Sequence, residues 1–91
     1  MNNLQLVSKQ AIDLIIKERY RQLVLAHGGD TEEFDRGNSQ NNWIAYINAY
    51  IGRAAQKVTR NERDGQTFRN NMIKAGALCV AALEANLKGY C

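Results

Sequence analysis

Residues 42–60 read NWIAYINAYIGRAAQKVTR, and this stretch decides the fold. Ile44, Ile47, Ile51, Ala54, Ala55 and Val58 recur at steps of three and four, the spacing that lines one face of an α-helix. Tyr46, Tyr50, Arg53, Lys57 and Arg60 recur in the same way on another face. That second face carries two aromatic rings followed by three cations. It suits a planar anion, stacked on the rings and neutralised by the charges. It suits equally a partner helix, with the cations left in water. Gly52 interrupts the helix at a cost of about 1 kcal/mol relative to alanine, which implies a close approach there, by a crossing helix rather than by a ligand.

Working outward, a first helix is expected from about residue 4 or 7 to 26. Val7, Ala11, Leu14, Ile15, Glu18, Gln22 and Leu25 lie on or beside one face, Ser8 offers a cap for a later start, and Gly28 and Gly29 end it. Glu18 and Gln22 bring polar groups onto that face, as the edge of a core or as the wall of a pocket. Residues 28–42 read as a polar loop pinned by Phe34, with DTEEFD as a solvated turn and Asn41 or Asn42 as the cap of the central helix. The third helix is expected over 66–88, capped by Thr67 or Asp64 and stopped by Gly89. Its stripes are Phe68, Met72, Ala75, Cys79, Ala82 and Asn86, and beside them Ile73, Ala77, Val80, Leu83 and Leu87. A helix apolar on most of its circumference has to be covered on more than one side. The fold class is therefore all-α: one domain over residues 1–91, three helices at about 4–26, 42–60 and 66–88. At least a dimer is expected, with the second and third helices forming a four-helix core across a two-fold axis.

Ninety-one residues with no proline and a net charge of +3 bound the rest. Residues 1–45 hold five Lys or Arg against six Asp or Glu, and residues 46–91 hold seven against three. That asymmetry favours a local anionic ligand, and nucleic acid is unlikely as a partner because its binders display denser basic patches. No apolar run approaches membrane-spanning length. The first residues lack the apolar centre of a signal peptide, so a cytoplasmic location is expected. Cys79 reads as a small core residue and Cys91 as a frayed tail thiol, with no disulfide framework and no zinc cluster. His27 reads as an ordinary last-turn residue, Trp43 as a core anchor, and Glu84 as a salt-bridge partner or a residue of a subunit edge.

ERYRQ, then WIAYINAYIGRA, then FRNNMIKAGALCVAALEA, taken together over residues 16–89, resemble the all-helical MazG-like nucleotide pyrophosphohydrolases, in the small form carried by phages and prophages. In that family acidic side chains hold Mg²⁺, which bridges the phosphates of a nucleoside triphosphate. The resemblance puts the paired glutamates of the central helix at Ala49 and Tyr50, and the next one at Arg53. Those of the third helix fall at Asn71 and Lys74. The carboxylates are missing and two positions are cations, so the resemblance implies a binding protein with no catalytic residue, metal ion or cofactor. Its implied ligand is a nucleotide or a related phosphorylated small molecule; in a phage, that could be a signal of host defence. Arg53 and Lys74 would meet phosphate, with Arg69 as an outlying contact. Tyr46 and Tyr50 would stack or hydrogen-bond. Glu18, Arg21, Gln22 and Asn71 complete the expected site. Two alternatives stand: a structural or protein-interaction module, and a hydrolase using Glu18 with Asp30, Glu32, Glu33 or Asp35.

Overall fold

The first helix, α1 (Lys9–Leu25), starts where Ser8 caps it, the Ser8 hydroxyl oxygen accepting from the Ala11 amide at 3.2 Å. The computed structural model describes residues 7–25, 31–59 and 65–91, without the side chains of residues 25, 31, 32 and 57–59. The expectations for Gly28, Gly29, His27, Asp30, Arg60 and Asp64, and for the side chains of Leu25, Glu32, Lys57 and Val58, lie outside the described residues.

All described elements are helical, and there are four of them where the sequence leads one to expect three. The added one is α2 (Thr31–Arg36), inside the stretch expected as loop. Its six residues are far too few to hold a helix alone, and tertiary anchors supply the difference. The Phe34 ring lies 6.0 Å from the Tyr46 ring in a stacked arrangement and 6.4 Å from Trp43 edge-on. Asp35, expected in a solvated turn, is buried against Arg19. The next helix, α3 (Gln40–Thr59), takes its cap from Ser39, whose hydroxyl oxygen accepts from the Asn42 amide at 3.2 Å. Asn41 and Asn42 are already helical, which leaves them unable to cap it.

The last helix, α4 (Gly65–Leu87), begins before Thr67, which is therefore no cap; its carbonyl instead accepts from the Asn71 side-chain amide at 3.1 Å. At the other end Gly89 takes φ of 82°, and the amides of Gly89 and Tyr90 donate to the carbonyls of Asn86 and Ala85. This is the left-handed closure that glycine permits and most side chains resist. It folds the tail back, so that Tyr90 and Cys91 pack on Trp43, Ala81 and Ala85. Cys91 is thus held against the body and not frayed.

Helix α4 is the middle of the molecule. It packs against α3 on one side and against α1 and α2 on the other, while α1 and α3 nowhere approach each other at the level of the backbone. Small residues make this possible. Ala75, Ala77, Ala81 and Ala85 are buried, and Gly76 is the tightest crossing: a Cβ there would stand 2.9 Å from Ile15 Cδ1. Gly52, by contrast, faces open space. The expected close approach falls at a different glycine because α3 turns another face inward.

That inward face carries Trp43, Ile47, Tyr50 and Ala54, with Trp43 2% exposed. It runs between the two stripes read from the sequence. Ile44, Ile51 and Ala55 are exposed, as are Val7 just before α1, Ala11 on α1, and Cys79, Leu83 and Leu87 on α4. The side chains that pattern alone assigned to the core therefore lie in part on the surface.

Candidate functional site

Because α1 and α3 flank α4 without meeting, a groove opens between them. α2 closes part of it through Phe34 and Asp35. The result is a cavity of about 470 Å³, within the range of small-molecule sites. Its apolar wall is Phe34, Trp43, Tyr46, Ala49, Leu78 and Ala81, and its polar wall is Arg19, Arg21, Gln22, Asp35, Tyr50 and Arg53. The three rings at residues 34, 43 and 46 form one cluster, with Trp43 and Tyr46 edge-on at 6.3 Å. Such edge-to-face and offset contacts are the favoured aromatic geometries.

The charged groups divide into buried and exposed. Arg19 is buried. It donates to Asp35 at 3.0 Å and to Glu84 at 3.1 Å. Both its hydrogen-bonded partners are carboxylates, so its charge is spent within the protein. A sequence signal for this existed: Glu84 is the one acid in the apolar run of α4, and an acid there requires a cation nearby. Glu84 does make a salt bridge, one of the two roles read for it.

Arg21 meets Glu18 through a two-pronged contact, Nε–Oε1 at 2.9 Å and the second guanidinium nitrogen to Oε2 at 2.7 Å. The hydrogen bonds that Arg21 donates to Glu18, and after them the charge of Glu18, raise the Arg21 pKa above its ordinary value. The guanidinium stays protonated, and any stabilisation it lends is lost only above that ordinary value. Arg53 is exposed, with its guanidinium carbon 4.8 Å from the centre of the Tyr50 ring. Among the described residues no carboxylate pairs with it. Lys74 approaches the same ring, with Nζ at 5.8 Å. Two cations thus approach the Tyr50 ring within cation–π range.

The structure brings together Arg21, Gln22, Tyr46, Tyr50 and Arg53 in this cavity. Glu18 and Lys74 line an adjoining hollow of about 260 Å³, which shares Arg21 as a wall. Arg69 lies apart, beside Phe68 and Met72. Asn71 is buried and satisfied by Thr67, and lines neither hollow. Sequence reasoning missed Arg19, Phe34, Asp35 and Leu78 as walls, and took Trp43 only as an anchor. Glu18 and Asp35, offered as acids of a hydrolase, are each engaged by an arginine. Among the described residues no three His, Cys, Asp or Glu converge to hold a metal ion.

Two buried side-chain polar atoms are without a hydrogen-bond partner among the described residues: Trp43 Nε1 and Asn38 Nδ2. Asn38 already accepts from the Tyr46 hydroxyl through Oδ1, at a long 3.4 Å. A buried donor without an acceptor costs on the order of 1–3 kcal/mol. No family model matches this chain, and neither does any curated protein or any solved structure.

Proposed function

We propose that this chain binds a nucleotide or a nucleotide-derived phosphorylated small molecule in the groove between α1 and α3, without hydrolysing it. The observation that carries the proposal is the pairing of an aromatic wall with an exposed cationic mouth in one cavity of suitable size. Planar bases stack on rings regardless of sequence, and guanidinium groups match phosphate oxygens in a planar fork. Arg53 is the primary phosphate contact, since no carboxylate competes for it among the described residues. Arg21 supports it at the cost of loosening from Glu18, and Lys74 adds charge from the neighbouring hollow. The MazG-like resemblance belongs to this reading: Tyr50, Arg53 and Lys74 stand where that family carries acids. The further step, to a phage protein that removes a signal of host defence in the cytoplasm, rests on the resemblance alone.

The test is calorimetry against a panel of nucleoside mono- and triphosphates and linear dinucleotides, in EDTA. Binding is expected without a divalent ion. Arg53→Gln removes a charged hydrogen bond worth roughly 1.5–3 kcal/mol, so it should weaken binding about ten- to a hundredfold with an unchanged melting temperature. Binding that disappears in EDTA, or release of pyrophosphate from a triphosphate, would overturn the reading.

A second reading, an interaction module that associates with itself, is favoured by one observation. Ile12, Ile16, Tyr20 and Leu23 form an exposed apolar stripe on α1, with Tyr20 68% exposed, and Leu83 and Leu87 are exposed on α4. Large apolar surface of this kind marks protein contacts. Under it the protein runs as a dimer or larger in light scattering, and Arg53→Gln leaves that mass unchanged.

A further inference from the structure

Two hollows meet at Arg21, and their linings differ in kind. The groove between α1 and α3 holds the aromatic wall. The adjoining hollow of about 260 Å³ is lined by no aromatic ring, and its charged lining is Lys17, Glu18, Arg21 and Lys74. Three cations there face one carboxylate, and Arg21 already engages that carboxylate. Among the described residues no carboxylate pairs with Lys17 or Lys74. From this we infer that the hollow is a second phosphate subsite, and that the ligand carries two phosphates at separate positions of one nucleoside, a nucleoside 3′,5′-bisphosphate being the smallest such molecule.

The inference rests on the nucleotide reading and adds the number and placement of the phosphates. A hollow without rings gives a base nothing to stack on. Ammonium groups without a counter-ion suit a compact anion, since each is a point charge with three donors. Arg21 serves both hollows. Its Nε and one terminal nitrogen donate to Glu18, and its other terminal nitrogen makes no hydrogen bond among the described residues. Tyr50 is the second link. It lines the groove, and its ring is approached by Arg53 of the groove at 4.8 Å and by Lys74 of the hollow at 5.8 Å. Cations of both hollows therefore gather about one side chain. A nucleotide with its base on the rings and one phosphate at Arg53 extends past Tyr50 toward Lys74. Two phosphates joined to each other, as in a nucleoside diphosphate, stay together in one hollow. Phosphates on opposite ends of the ribose reach both.

The intact protein is titrated calorimetrically, in EDTA, with AMP, ADP and adenosine 3′,5′-bisphosphate. The bisphosphate should bind about tenfold more tightly than AMP, as a charged contact to an added phosphate requires, and ADP within threefold of AMP. Lys74→Gln should remove most of the bisphosphate's advantage and cost AMP threefold at most. Lys17→Gln should reduce the same advantage, and it decides if K74Q fails to fold. Arg69→Gln makes the same change of charge at a residue outside both hollows, and should leave all three affinities unchanged. An ADP gain equal to that of the bisphosphate, or an equal loss in R69Q and K74Q, would show a general charge effect and overturn the second subsite. Equal affinities for AMP and the bisphosphate, both weakened by R53Q, would overturn it while leaving the groove reading standing. No saturable binding of any of the three would overturn both.

Discussion

Arg19 and Arg53 line the same cavity, and their surroundings give them opposite tasks. Arg19 is 7% exposed and held by two carboxylates from distant parts of the chain. Removing it leaves Asp35 buried without a counter-charge. Arg53 is exposed and leans on the face of Tyr50. Its charge is screened by water and free to meet an anion. The comparison extends to the two walls they belong to. The buried wall, with Trp43, Phe34 and Arg19, ties α2, α3 and α4 together, so changes there should cost stability. On the open wall Arg21 and Arg53 make their described contacts within one turn of their own helices, with Glu18 and Tyr50, so changes at these two arginines should alter binding and leave the fold intact.

The largest expected effect is at Trp43. Trp43→Ala removes the most buried large side chain and should cost about 3–5 kcal/mol. That is a large share of the stability of any domain this small. Loss of the cooperative helical signal on heating checks it, and a melting temperature within a few degrees of the parent would break the comparison.

Arg19→Met comes next, at about 3 kcal/mol, because Asp35 is left as an unpaired buried charge. Adding Asp35→Asn should recover part of that loss by removing the stranded charge. Urea unfolding of the two single variants and the double variant measures the coupling. Purely additive losses would mean that the buried pair does not act as a unit.

Arg53→Gln sharpens the contrast from the other wall: an affinity loss equivalent to 1.5–3 kcal/mol for a bound nucleotide, and none in stability. The smallest effect is at Glu18→Gln. Glu18 restrains Arg21, which is half-exposed, and such surface pairs contribute about 0–1 kcal/mol to stability. Releasing Arg21 should tighten anion binding a few-fold, more so at low salt, where screening is weaker. Tighter binding that is indifferent to salt would argue against Arg21 as a phosphate contact.

Much of the secondary structure was legible because it rests on short-range chemistry. The Ser8 cap and the Gly89 stop depend on hydrogen bonds spanning three to five residues. The periodicity of residues 42–60 marks a helix wherever that helix docks. The face that docks was not legible. Ile44, Ile51 and Ala55 look as suitable for burial as Trp43, Ile47, Tyr50 and Ala54, and only the presence of α4 and the folded-back tail chose the second set. Half of the site was visible as ring-and-cation spacing along α3. The rest comes from α1, α2 and α4: Arg21 and Gln22 enter through the family resemblance, while Arg19, Phe34, Asp35 and Leu78 follow no spacing that marks them as walls.

By itself, then, the sequence determined that the chain is helical, that Ser8 can start the first helix and Gly89 stop the last, and that aromatic rings and cations share one helix. Tertiary structure decided the rest. It turned the acidic loop into α2, paired Arg19 with Asp35 sixteen residues away and with Glu84 sixty-five residues away, and placed the tight crossing at Gly76 instead of Gly52. The physical reason is the range of the forces that matter. Caps and periodicity are satisfied within one or two helical turns. A buried ion pair, or a glycine in contact with a crossing helix, has its meaning set by atoms that only the folded chain brings near.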